Sequence, residues 1–238
     1  MSLKEMIYKR KSTRKYQDKD VEQEVIDKIY TFIHNAKPLY EDIKVGALIT
    51  SSDEMSTIQP WKSNQVICIY SEEKDGYLEN VGFIFQQLDL YLNSIGLGSC
   101  WIGMGKPNKN IKEYNGLKFV IMFAFGYPKE ELYRSASEFK RLELSKISDE
   151  LDERLECARL APSSVNSQPW YFKHEGDLIH LYYEKRSLIS KVALNYFNQI
   201  DLGIVLAHIY VENEDSFKFI YNEALKKNNK KYIGSFKI

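Results

Sequence analysis

The chain repeats part of itself. "IQPWKSNQVICIYSEE" from Ile58 resembles "SQPWYFKHEGDLIHLYYEK" from Ser167, and "FQQLDLYL" from Phe85 returns as "FNQIDLGI" from Phe197. Gln59-Pro60-Trp61 stands 109 residues before Gln168-Pro169-Trp170, while Phe85 and Phe197 are 112 apart. Three extra residues in the second hairpin reconcile the two offsets. Chance likeness between amphipathic pieces is the rival reading, but the ordered return of Q-P-W, strand and F-[QN]-Q-[LI]-D-L argues against it. A repeated half cannot cover its own apolar face and packs against its copy. The pattern therefore restricts the chain to an internal pseudo-dimer, with halves at about 1–147 and 148–238.

Periodicity supplies the elements. A short helix is expected over 3–9 and another over about 21–36, where Val21, Val25, Ile29, Phe32 and Ile33 share a face. Asp18 or Asp20 would cap the second helix, and Pro38 prevents its continuation. KVGALIT and QVICIYSEE read as strands, and a long helix at about 78–95 ends at Gly96 and Gly98. KFVIMFAFGYP is apolar nearly throughout, as a strand covered on both faces would be. Residues 129–147 read as a segment crossing between halves, after which Ser148 is expected to cap a helix carrying Leu151, Leu155 and Ala158. YFKHE and LIHLYYEK would pair across Gly176-Asp177, and 195–212 is apolar all round, as a buried helix is. Strands and helices in this order predict an α+β fold.

Composition narrows the function. Lys plus Arg and Asp plus Glu are 33 each, so no charge excess marks a nucleic-acid or membrane-surface binder. No apolar run is long enough to span a bilayer, and the start shows no signal core. Cys68, Cys100 and Cys157 are scattered without a C-x-x-C, which fits reduced thiols in a cytoplasm. The four histidines show no ligand spacing, so no metal site is expected.

Three clusters carry chemistry. In "KRKSTRKYQD", Arg10 and Arg14 lie one helical turn apart with Ser12 between them, a set that suits a phosphate dianion or else is only a solvated basic terminus. "APSSVNSQPW" places Pro162, Ser163, Ser164, Asn166 and Gln168 in one stiffened polar stretch, which suits a heterocycle edge or hydroxyl chain or else is a capped helix end around a packed Trp170. "GLGSCWIGMG" lets backbone approach a flat ring or is a glycine-rich helix exit. It matches neither the dinucleotide fingerprint nor the P-loop, since Trp101 breaks G-x-G-x-x-G and Pro107 follows Gly105-Lys106. Because the basic cluster precedes only the first half and A-P-S-S-x-N only the second, one composite ligand site is expected, not two.

R-x-S-x-R, then G-L-G-S-C-W-I-G, then F-G-Y-P followed by Lys140-Arg141, together with A-P-S-S-x-N-x-Q-P-W, resemble the FMN-dependent nitroreductase family over most of the chain. In ordinary members A-P-S-S-x-N follows the arginine motif; here it comes last, which resembles the fused branch where one chain mimics the usual two-subunit site. The resemblance implies a nitroreductase-like α+β fold with tightly bound FMN where the halves meet. It implies Arg10, Lys11, Ser12 and Arg14 on the phosphate and ribityl chain, with Lys140 and Arg141 in support. It implies Pro162, Ser163, Ser164, Asn166 and Gln168 along the flavin, and Ile102 and Gly103 by the ring with a backbone N–H near N5. The implied reaction is ping-pong: NAD(P)H gives hydride to flavin N5, and a flat electron-poor small-molecule acceptor, a nitroaromatic or quinone, then takes two electrons. No side chain is required as general acid. Other flavin chemistry on the same fold (dehalogenation, flavin breakdown, peptide-ring oxidation) and a non-enzymatic FMN binder stay open. With the dimer internal, a monomer suffices.

Overall fold

The computed structural model describes residues 1–185 and 192–238. Helix α1 (Leu3–Ile7) opens on a capping box in which Ser2 and Glu5 satisfy each other's backbone N–H groups. Helix α2 (Gln23–Asn35) buries Ile26 and Ile29. Its N-cap is Glu22, which makes no side-chain cap bond, and Asp18 and Asp20 instead accept from the Asn64 side chain.

Strands β1 (Val45–Ser51) and β2 (Gln65–Ser71), helix α3 (Tyr77–Ser94), and strands β3 (Gly98–Ile102) and β4 (Leu117–Gly126) form the first half. Their sheet runs β1-β2-β4-β3, every pairing antiparallel, with the short strand Glu113–Tyr114 also on β4. β2 and the C-terminal part of β4 are buried almost throughout, as their unbroken apolar runs require. The second half has β5 (Trp170–Glu175), β6 (Leu178–Tyr183), α4 (Val192–Glu212), β7 (Lys218–Ile220) and β8 (Tyr232–Lys237). Its sheet runs β5-β6-β8-β7, again antiparallel, with β5 and β6 joined through Gly176-Asp177. Strand, strand, helix, strand, strand with the last two exchanged in the sheet thus occurs twice, so the repeat in sequence is a repeat in topology.

The halves meet where α3 and α4 pack. A Cβ on Gly82 would stand 2.0 Å from the Ile200 carbonyl oxygen, and one on Gly203 would stand 1.9 Å from that of Glu79. Only glycine lets the two backbones come this close. One apolar cluster then runs through both sheets and both helices, taking in Ile67, Phe85, Phe123, Leu181, Leu202 and Phe236.

One expected element differs. Ser148 does not cap a helix from its N-terminal side; it ends a single turn, Leu144–Ile147, and pairs in a bridge with Phe172. The chain then bends at Asp149 and Glu150, Leu151 is 80% exposed, and helix resumes only at Glu156–Arg159 after Asp152 caps a short turn. The Leu151, Leu155 and Ala158 spacing imitates a helix face, but pairing to β5 at Ser148 takes the chain out of the helix instead.

Candidate functional site

The sequence builds a buried polar cluster from α3 outward. Asp89 is fully buried and sits 2.9 Å from Arg10 Nε, and Arg10 is itself 1% exposed. Ser99 Oγ donates to Asp89 at 2.5 Å and Gln86 Nε2 donates to it at 2.9 Å. Gln86 Oε1 accepts from Trp101 Nε1 at 3.1 Å. His208 of α4 joins at 3.2 Å: its Nε2 accepts from Gln86, leaving Nδ1–H to donate to the Cys157 carbonyl. Burial pushes this imidazole down to about 3, so it stays neutral. Arg10 also donates through Nη2 to Ser12 Oγ at 3.2 Å, which ties the cluster to the next residue of interest.

Ser12 and Arg14 stand at the edge of a cavity of about 310 Å³. The chain lies here because Thr13 N–H donates to the Ser99 carbonyl at 2.9 Å, beside β3. Gly103 forms another part of the wall, where an added Cβ would come within 3.1 Å of the Phe197 ring. Pro162, Ser163 and Ser164 form a third part, and Phe197, Ile200, Asp201 and Ile204 of α4 a fourth. Arg14 is exposed and makes no ion pair or hydrogen bond among the described residues. Arg10 Nε and Nη1 are both buried with no hydrogen-bond partner among them, so the Nε–Asp89 contact is an ion pair without hydrogen-bond geometry.

Of the residues the sequence singled out, Ser12, Arg14, Gly103, Pro162, Ser163 and Ser164 line this one cavity. Arg10 stands behind Ser12. Lys11 is half-buried and outside the wall, and Ile102 is buried and lines a different cavity with Met55, Trp61 and Met122. The remainder hold the third wall in shape. Arg141 donates through Nε to the Ala161 carbonyl at 3.0 Å and through Nη1 to Asn166 Oδ1 at 2.7 Å. Asn166 donates back to the carbonyl of Lys140, whose side chain is exposed. Gln168 accepts from Leu142 N–H at 2.8 Å, and its own N–H donates to Ser163 Oγ. Val165, Asn166 and Gln168 all take positive φ, a bent backbone closed by these bonds.

Sequence reading missed three contributors. Arg134 donates through Nε to the Arg10 carbonyl at 2.9 Å and stacks over Phe139. Burial, with Arg10 nearby, pushes both Arg134 and Arg141 down to about 10, so this corner carries more positive charge than its neighbours balance. Phe197 and Asp201 were visible only as members of the repeat. Asp201 is 3% exposed, and both carboxyl oxygens accept the Ser164 N–H, at 3.0 and 3.1 Å. Burial raises this carboxyl well above the usual carboxylate range.

Two related antiparallel sheets, a glycine-crossed helix pair and one cationic, glycine-walled cavity at the seam define an α+β protein of nitroreductase-like fold. The chain belongs to the family described as "Putative TM nitroreductase", whose model matches residues 2–213. A structure described likewise, from Thermotoga maritima, is 21% identical, covers 99% of this chain and 92% of its own, and superposes with a TM-score of 0.66. Two structures described as FMN-dependent nitroreductases, from Clostridium difficile, are 22% and 15% identical. They cover 58% and 59% of this chain and 96% and 97% of their own, with TM-scores of 0.44 and 0.45. No curated protein matches the chain. No helix among the described residues is long and apolar enough to cross a membrane.

Proposed function

We propose that the cavity holds FMN and that the chain is an oxidoreductase passing hydride from NAD(P)H, through the flavin, to a flat electron-poor acceptor such as a nitroaromatic or quinone. The observation that carries this reading is the meeting of three motifs, distant in sequence, on one wall: Ser12 with Arg14, Gly103, and Pro162 to Ser164. The residues present fit the group. An exposed guanidinium with no partner among the described residues, an orphaned buried Nη1 behind Ser12, and two further guanidiniums pushed down by burial and by the charge of Arg10 make a corner suited to an anion. A phosphate dianion supplies one.

In this reading Arg14 and Ser12 take the phosphate end, with Arg10 holding Ser12. Gly103 presents backbone to the ring, and Ile102 packs behind it. Pro162, Ser163 and Ser164 bound the flavin from the other half. Arg141, Asn166 and Gln168 keep that bend in place, with Lys140 contributing a carbonyl. Bound FMN supplies two-electron chemistry at its N5. The chain's own part is to hold, orient and desolvate the ring, and one ligand visiting at a time gives ping-pong order. Halves 1–147 and 148–238 each supply walls, so one chain makes a complete site. NADPH and NADH oxidation by the FMN-loaded protein, with and without a quinone, tests the reading. Acceptor-dependent oxidation is expected; a loaded protein whose flavin neither nucleotide bleaches is a binder and not an enzyme.

A further inference from the structure

Asp201 is the repeat partner of Asp89, and the two carboxyls are treated in opposite ways. Asp89 receives a guanidinium, a hydroxyl and an amide. Asp201 receives one backbone N–H and, among the described residues, no cation. An asparagine would satisfy the Ser164 N–H equally well and would avoid burying an acid. What aspartate adds is a proton it can release, and burial favours the protonated form of this carboxyl in the cavity wall.

The titratable and charged groups on the elements around it do not neutralise it. Arg14 and Cys100 share the cavity wall, and burial pushes the Cys100 thiol up, so it is uncharged at neutral pH. Behind the third wall, Arg141 is committed to Ala161 and Asn166, and in the short helix before that wall Arg159 is paired with Glu156. On α3, the side of the helix crossing offers the half-buried Glu79, another acid, whose carboxyl burial pushes in the same upward direction.

We propose that Asp201, set in the cavity wall with only the Ser164 N–H on it among the described residues, is the proton donor of this cavity and serves the molecule bound there. This rests on the flavin oxidoreductase reading and deepens it. Reducing a quinone to a hydroquinone takes a hydride and a proton. A bound flavin would supply the hydride drawn from the nicotinamide donor; the proton leaves the Asp201 O–H for the acceptor oxygen, and a proton from solvent restores the carboxyl.

Asp201→Asn tests this because the amide still accepts from Ser164 and still donates an N–H, yet cannot release a proton at neutral pH. Three readouts are taken together: the carboxylic C=O stretch in the infrared difference spectrum of ligand-free wild type minus variant at pH 7, the Kd for FMN, and the pH profile of quinone reduction. The expected result is a protonated-carboxyl band present only in wild type, FMN affinity within about threefold, and turnover down about 10²-fold, the low end of what a positioned acid contributes. The alkaline limb of the wild-type profile should also vanish. No band at pH 7, or a variant with wild-type turnover and pH profile, overturns the proposal while leaving FMN binding intact. A wild type that takes up no FMN overturns the functional reading instead, and the infrared band still decides whether Asp201 holds its proton.

Discussion

The same four helix positions meet different fates in the two halves. Phe85, Leu88, Asp89 and Leu92 of α3 are fully buried. Their repeat partners Phe197, Ile200, Asp201 and Ile204, each 112 residues later, line the cavity. The two faces are chemically alike, so the helix itself does not decide. What covers it does. The segment after α1 brings Arg10 onto Asp89 and seals the first face. Among the described residues no cation reaches Asp201, and the bend at Pro162 to Ser164 stands over the second face while leaving space beneath it. A duplicated core thus carries an ion pair on one helix face and a cavity on the other.

The largest expected effect comes from breaking that ion pair. Asp89→Asn leaves Arg10 buried without its carboxylate and should destabilise by about 3–5 kcal/mol, read by denaturant unfolding. A loss below about 1 kcal/mol, the scale of a surface pair, would mean that the first face is not sealed by this ion pair. Next is Gly203→Ala, which forces a methyl against the Glu79 carbonyl and should destabilise by about 1–3 kcal/mol in the same measurement. Gly82→Ala should behave likewise, and the double variant should fall short of the sum if both act on one helix crossing.

The smallest effect has the opposite sign. Asp201 has its folded pKa raised by burial, so the native state holds a proton that the unfolded chain has released. Stability from this group therefore falls as pH rises above the ordinary aspartate range near about 4. Asp201→Asn removes that penalty and should raise Tm, by more at pH 8 than at pH 5. A variant less stable at both values would place Asp201 with Asp89, as a structural acid.

The helix pair and most of the strands were legible because each rests on a local signal, whereas β3 was hidden in the glycine-rich stretch after α3. "FQQLDLYL" and its echo marked both core helices, and unbroken apolar runs marked β2 and β4. Pro162 to Ser164, Gly103, Ser12 and Arg14 stood out through residue types unusual for a plain core or surface. The Arg10–Asp89 pair was not legible, since the residues lie far apart and neither belongs to a shared period. Arg134 was hidden in a polar segment of no period, although it supports Arg10. Ser148 misled because the bridge to Phe172 is a tertiary contact that overrides a helix-like spacing. Asp201 was legible as a repeat residue and not as a site residue, because what distinguishes it from Asp89 is the tertiary cover, a backbone bend over a cavity in place of a guanidinium.

The central claim is that the cavity-lining face of α4 belongs to a flavin whose anionic end meets Arg14. Titration of the apoprotein with FMN, followed by flavin absorbance and fluorescence, tests it most directly beside Arg14→Glu. The account predicts saturation at one FMN per chain for wild type and an affinity weakened by about 10²-fold or more in the variant, where a carboxylate faces the phosphate. Because Arg14 is exposed and has no partner among the described residues, folding of the variant should change by no more than about 0.5 kcal/mol. A wild type that stays colourless in excess FMN, or a variant that binds as tightly as wild type, would contradict it.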